Sequence, residues 1–377
     1  MEYNNAVKFL KNSMIYQMSL GSKELFHSNV WWWLIDNDKN FIKVFIPDFD
    51  PAKYNNGVNI WARREELDRD ILIWLEDDKN NKYHIVIENK IKTLPTIEQL
   101  CRYTTNINQS LFKNGILTGI GNCSLNLNDI IYKNGVSGSW SYVNYTEIAN
   151  RIHEIANKSK SNVIINHLNQ IEEYCDIILC LNLILEENIN KYKNVFTYDC
   201  DKDILKELRI SDVFKKHKCS QFFNYIINRK EELEVLKPNG YNLNISQGFH
   251  NNRATLDVRF SNYVDYSINY KLLGVQIEGD QFRIVAERNA QFSTDSIYSE
   301  LNYNWFDDSY DKDTNRFIFN NSTSMKPRNN KKYDSYNTKD YNFVYQYFDI
   351  SKLGNKNYES IFEMIKHYMF KATKLLK

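Results

Sequence analysis

The chain's 377 residues suffice for two domains or one decorated domain, and its formal net charge of +1 excludes a global pull onto polyanions, so any nucleic acid must be held by a local patch. With 42% hydrophobic and 25% charged residues the composition is that of a soluble globular protein, and the longest apolar run, residues 177–185, is too short to span a bilayer. Six scattered cysteines, without a Cys-x-x-Cys or a His pair at zinc spacing, exclude thiolate–zinc chemistry and fit reduced thiols in a cytoplasmic protein; the start, MEYNNAVKFLKNS, has no apolar stretch of the kind a signal peptide needs.

In chain order, GSKELFHSNVWWWLI (residues 21–35) is predicted to be a helix with Ser22 as its N-cap. Residues 47–59 read as loop. DILIWLE (70–76) alternates like a strand, DDKNN (77–81) is a turn, and KYHIVIENKIK (82–92) is a second strand. Pro95 and Thr96 open a predicted helix over 94–112, with Ile97, Leu100 and Tyr103/Thr104 at helical spacing. GILTGIG (115–121) and WSYVNY (140–145) are short strands, TEIANRIHEIA (146–156) a helix, and residues 162–187 a longer helix holding the run IILCLNLIL in the core.

From about Lys191 the texture changes. A helical stretch to about Glu234 gives way to aromatic-rich strands, GVQIEGDQFRIVAE (274–287) reads as a hairpin turning at Gly279-Asp280, and residues 358–376 form an amphipathic helix. The expectation is a mixed α/β domain at 1–190 and a C-terminal α+β region at 191–377, with no internal repeat and no low-complexity linker.

The two strands flanking the 77–81 turn raise a chemical question. A symmetric hairpin pairs residues whose numbers sum to 158, so Glu76 meets Lys82 and Asp70 meets Glu88. Opposed residues share a sheet face, and Lys90 lies one pleat further along it. Two opposed carboxylates repel each other; Lys90 offsets part of that, and a divalent cation would offset more, since hard cations take oxygen ligands. Mg²⁺ suits such an all-oxygen site, with Mn²⁺ as a substitute. A one-residue slip would undo the opposition and leave two ordinary acids at exposed strand ends.

An Asp at the start of one strand with Glu-x-Lys about twenty residues on resembles the PD-(D/E)XK nuclease superfamily. RDILIWLED, HIVIENKIK and EQLCRY are similar to a bacterial branch in which IENKI is followed by a helix carrying Gln and Tyr, and ELFHSNVWWWLI is similar to that branch's opening helix. The resemblance covers about residues 15–185; GVQIEGDQFR and FVYQYFDI are less specific. It implies a restriction-endonuclease-like core, a central mixed sheet flanked by helices. It further implies that Asp70 and Glu88 bind the metal, that Lys90 sits by the attacking water and the scissile phosphate, that Glu24 assists the metal site, and that Gln99 and Tyr103, four apart on one helical face, flank the site and touch substrate. No proline precedes Asp70, and Asp68 shares its strand face, so Asp68 is a second candidate ligand.

The expected function is that of a Mg²⁺-dependent nuclease acting on DNA, cutting at ends or internally, in defence against foreign DNA (antiphage defence) or in repair. The rivals are a catalytically silent nucleic-acid-binding module and a sensor or scaffold subunit, with the C-terminal region as the surface for a homo-oligomer or protein partner. Other signals have ordinary readings. Trp31, Trp32 and Trp33 point in different directions on a helix and are expected in packing beside the site; His27, one turn after Glu24, is as readily structural as functional. The basic loop 325–332 is balanced by the acidic 307–313, and the sequon at 320–322 follows from composition.

Overall fold

In the computed structural model the chain divides into one unit of residues 1–190 with 203–213 and a second of residues 191–202 with 214–377. The structure describes residues 1–19, 23–90, 97–121, 125, 127–130, 132, 138–191, 202–250, 253–262, 270, 272–289, 301, 305, 328–329, 341–350 and 357–376. Ser22, residues 91–96 with Pro95 and Thr96, Cys123, Cys200, the acidic run 307–313, the sequon and, apart from Arg328 and Asn329, the basic loop lie outside the described residues.

The first unit begins with α1 (Tyr3–Asn12), α2 (Met14–Ser19) and α3 (Lys23–Asn37). Its described strands, β1 (Ile60–Glu66), β2 (Arg69–Glu76), β3 (Lys82–Lys90), β4 (Leu111–Gly119) and β5 (Ser139–Asn144), form one sheet in the order β1-β2-β3-β4-β5. β1–β2 and β2–β3 are antiparallel, whereas β3–β4 and β4–β5 are parallel. The crossover from β3 to β4 carries α4 (Ile97–Tyr103). As in other strands covered on both faces, β3 is buried at six consecutive positions, 84–89, with the apolar Ile85, Val86 and Ile87 at their centre. One face packs Leu72, Val86, Phe112, Leu117 and Trp140 against Leu100 and Tyr103 of α4. α3 lies on the other.

Beyond the sheet come α5 (Tyr145–Lys158), α6 (Asn162–Asn166) and α7 (Leu168–Lys191). A capping box, with Asn144 accepting from the Glu147 amide and Glu147 from the Asn144 amide, starts α5. The run 177–185 lies in α7 and buries Ile177, Ile178, Cys180, Leu181, Ile184 and Leu185, as expected of a core helix.

Three sequence expectations need correction. β1 was not anticipated, because IWARREE lacks alternation and LeuAsp at its end is not a hairpin-turn dipeptide. The helix expected over 94–112 stops at Tyr103: Thr104 turns its hydroxyl back onto the Cys101 carbonyl, Asn108 and Gln109 take positive φ, and Leu111 starts β4. The helix expected over 162–187 is two helices, broken at His167, whose φ of −117° and ψ of 16° leave the α region.

α8 (Lys202–Glu207) belongs to the first unit but for Lys202, and the second unit holds most of α9 (Ser211–Ile227) and all of α10 (Lys230–Glu234). Its described strands are β6 (Asn242–His250), β7 (Arg253–Ser261), β8 (Leu272–Glu278), β9 (Gln281–Asn289), β10 (Arg328–Asn329) and β11 (Tyr341–Asp349), antiparallel in the order β10-β11-β9-β8-β7-β6. The anticipated turn is at Gly279-Asp280, with Gly279 at φ 59°. The closing helix α11 (Tyr358–Leu375) buries Ile361, Phe362, Ile365, Tyr368 and Met369 against Val258, Phe260, Val275, Ile277 and Phe282.

A glycine tests the packing of the first sheet. Gly115 of β4 pairs with Trp140 of β5, and a Cβ there would meet the indole at 2.3 Å. Gly115→Ala is expected to destabilise the protein by about 1–3 kcal/mol through overpacking. Thermal melting checks this: a variant melting with the parent would mean that the Trp140 ring can move aside.

Candidate active site

The β2–β3 register is the expected one. Ile71 pairs with Ile87, Leu72 with Val86 and Glu76 with Lys82, all summing to 158, so Asp70 and Glu88 continue the ladder opposite each other. The turn fixes this register. Asp77 accepts hydrogen bonds from the Lys79 and Asn81 amides, each at 2.9 Å, and Asn80 takes the left-handed φ of 60°.

The strand period of two then separates three successive side chains of β3. Glu88 is on the α4 face and 2% exposed. Lys90, on the same face, sets its Nζ 2.6 Å from Glu88 Oε1. Gln99 of α4 donates from Nε2 to the same carboxylate oxygen at 2.7 Å and to Tyr103 Oη at 3.0 Å. Glu88 Oε2 is buried without a hydrogen-bond partner.

Asn89 faces the other way and is fully buried. Its Nδ2 donates to the Glu24 carbonyl at 2.9 Å and to Ser28 Oγ at 3.2 Å, its Oδ1 accepts from Tyr145 Oη, and its backbone amide donates to Asp70 Oδ2 at 2.7 Å. Sequence reasoning missed this residue. The available signal was a polar side chain inside a buried strand, which must have hydrogen-bond partners on the covered face.

Each candidate has a definite place. Asp70, Glu88 and Lys90 are brought together. Glu24, in the first turn of α3, is tied to β3 through its carbonyl and lies close enough for its charge to act on Asp70 and Lys90. Gln99 and Tyr103 flank the pair, bonding to Glu88 and to the Asp68 carbonyl respectively. Asp68 is in the β1–β2 turn at φ 62°, and the carboxylate whose charge acts on Glu88 is that of Asp70. His27 is buried in an aromatic cluster, its Nδ1 3.0 Å from Tyr174 Oη, with Trp31 and Tyr145 beside it. Trp31 is core, Trp32 donates to the Ala62 carbonyl, and Trp33 meets His167 edge-on.

The electrostatics follow from burial. Burial pushes the Glu88 carboxyl up to about 7; Lys90 pulls it down and Asp70 pushes it up. Asp70 is raised too, again by burial first, with the Asn89 amide opposing. Burial alone would lower Lys90, but the charges of Glu88, Asp70 and Glu24 outweigh it and hold the ammonium above its ordinary value. The site thus combines a firmly charged lysine with two carboxylates that resist sharing negative charge.

Among the described residues no three His, Cys, Asp or Glu side chains cluster as a metal site. The Asp70–Glu88 pair with its orphaned buried oxygen still fits a hard cation that keeps several waters, since Mg²⁺ takes one or two carboxylates and completes its shell with water and substrate oxygens.

A family model of the PD-(D/E)XK nuclease superfamily matches residues 14–177, a span containing Glu24, Asp70, Glu88, Lys90, Gln99 and Tyr103. Residues 14–177 belong to the PD-(D/E)XK nuclease superfamily. Its members are phosphodiester-hydrolysing nucleases that generally use divalent metal ions. The mixed five-stranded sheet flanked by helices is the restriction-endonuclease-like arrangement that membership implies. No curated protein and no solved structure matches the chain. Among the described residues no helix is long and apolar enough to cross a membrane.

The raised Glu88 value gives a pH dependence of known sign. Between the ordinary carboxylate range and about 7 the folded, metal-free protein holds a proton that the unfolded chain has released. Stability is therefore lost as pH rises through that window, by about 3 kcal/mol, and levels off above it. Glu88→Gln is expected to flatten the pH 4.5–7 slope of melting temperature measured in EDTA. Parallel slopes for parent and variant would remove Glu88 as the titrating group.

Proposed function

We propose that the protein is a Mg²⁺-dependent nuclease that hydrolyses phosphodiester bonds in DNA, with Asp70 and Glu88 as metal ligands, Lys90 as the catalytic cation and Glu24 as an auxiliary acid. The observation that carries the reading is the orphaned oxygen of buried Glu88, opposite Asp70 and beside Lys90, within the span matched by the nuclease family. A bound cation would activate water and offset charge on the phosphate oxygens.

The chain's own groups do the rest. Lys90 presents a fixed positive donor where phosphate charge develops, in a pocket with little water to screen it. Gln99 and the Asn89 amide hold the two carboxylates in place, so little reorganisation is needed on reaction. Glu24 adds negative charge that favours a cation in the site. A role against foreign DNA or in repair follows the superfamily resemblance. We assign the second unit to partner binding or sensing.

The test is incubation of the full chain with plasmid DNA, linear DNA and RNA, in Mg²⁺ or EDTA. DNA cleavage is expected in Mg²⁺ and none in EDTA. Glu88→Gln should abolish it and weaken Mg²⁺ binding by calorimetry; an unchanged metal affinity would refute the ligand assignment.

Lys90→Ala should lower the cleavage rate about 10²–10³-fold while DNA affinity changes far less, because its donor acts on transition-state charge. Equal losses in both would make Lys90 a phosphate-binding residue. A parent protein that binds DNA without cutting it would favour the binding-module alternative.

A further inference from the structure

The β1–β2 turn holds a residue that neither the fold nor the proposed chemistry accounts for. Glu66 pairs with Arg69, leaving Leu67 and Asp68 as a two-residue turn with φ of 54° and 62°. This is the type that favours Asn-Gly, because both central residues are left-handed. Asp tolerates that conformation, whereas leucine is disfavoured in it by its Cβ. Glu65, opposite Asp70 in the same register, is also left-handed at φ 54°. Leu67 is 50% exposed, so the core supplies little compensation.

The turn is nevertheless held firmly from below. Arg69 Nη1 donates to the Leu67 carbonyl at 2.6 Å, and its guanidinium lies 4.8 Å from the Tyr103 ring centroid. Tyr103 Oη donates to the Asp68 carbonyl at 2.6 Å and receives Gln99 Nε2, which also bonds Glu88. A continuous set of hydrogen bonds therefore links the turn to the candidate metal-binding carboxylate. Exposed Arg63 and Arg64 lie on the adjoining strand.

Leu67 is three residues from Asp70, at most ~10 Å of extended chain, which is about three base-pair rises. A nucleic acid with its scissile phosphate at Asp70 and Glu88 passes within reach of Leu67. An apolar side chain held rigidly in water beside such a backbone is suited to enter between base steps. We propose that Leu67 is a wedge that contacts base faces next to the scissile phosphate and unstacks one step of duplex DNA. The inference rests on the nuclease reading of the same site, and it makes easily unstacked steps the favoured substrates.

The experiment uses the full chain carrying Glu88→Gln to prevent turnover, with and without Leu67→Gly or Leu67→Met. The probe is a short DNA duplex with 2-aminopurine at alternate positions of one strand, whose fluorescence rises on unstacking. Leu67→Gly should bind about tenfold more weakly, equivalent to 1.4 kcal/mol, and lose the fluorescence rise. Leu67→Met should keep both. Leu67→Gly should melt at the parent temperature or up to about 4 °C above it, because glycine adopts this φ without strain.

A Leu67→Gly protein that binds and unstacks like its parent overturns the wedge, as does one that melts lower, which would make Leu67 structural. Cleavage with wild-type Glu88 separates the two readings. Full cleavage by Leu67→Gly sinks the wedge and leaves the nuclease reading standing. A parent that binds and unstacks DNA through Leu67 but never cuts it sinks only the nuclease reading. A parent with no DNA affinity overturns both.

Discussion

The register of β2 against β3 is the constraint on which the site depends. Strand side chains alternate, so a shift of one residue would move Glu88 or Asp70 to the opposite face. The 77–81 turn prevents this by using the Asp77 carboxylate to gather the Lys79 and Asn81 amides. An exposed Asx-type turn at one end of the hairpin thereby sets which carboxylates oppose each other at the other. Glu88 is buried and Asp70 half-buried there against electrostatic preference, which raises both pKa values.

Three consecutive residues of β3 then serve two sides of the sheet. Glu88 and Lys90 take the α4 face, where Gln99 orients the carboxylate. Asn89 takes the other face and joins α3, through the Glu24 carbonyl and Ser28, to Tyr145 at the start of α5. A single buried amide therefore positions the helix carrying Glu24, while its backbone amide restrains Asp70. Removing a buried amide with this many partners would leave several groups unsatisfied, which costs more than the hydrogen bonds themselves contribute. The tight placement of the acids is a property of this interior network.

The second unit is organised differently. Its sheet is a four-strand meander, β6 to β9, extended by β11 and β10, with one apolar face beneath α11. The other face carries a polar ladder: Arg283 bonds Glu278 at 2.5 Å and Gln276 at 3.0 Å, and Gln276 bonds Asp257 at 2.9 Å. Arg283 also stacks over Tyr345 at 4.6 Å. Arg259 pairs with Asp257 as Arg283 does with Glu278, so two acids and two arginines balance along the ladder.

The sequence by itself determined what local periodicity and turn chemistry control. The apolar run of β3, the alternation of β2 and the symmetric turn between them place Asp70 opposite Glu88 with Lys90 one pleat on, and the same reasoning finds α5, the core stretch of α7 and the hairpin at Gly279. Only the tertiary structure decided the features that depend on distant partners. β1 is a strand because it pairs with β2, despite a charged sequence and a turn of left-handed Leu67 and Asp68 that Arg69 and Tyr103 stabilise. α4 ends at Tyr103 because the chain must turn to start β4 beside β3. Asn89 reads as an arbitrary residue between Glu88 and Lys90 until Glu24, Ser28 and Tyr145, distant in sequence, converge on its face. Period and turn type are set by neighbours along the chain, whereas hydrogen bonds across a packed interior are set by residues that only folding brings together.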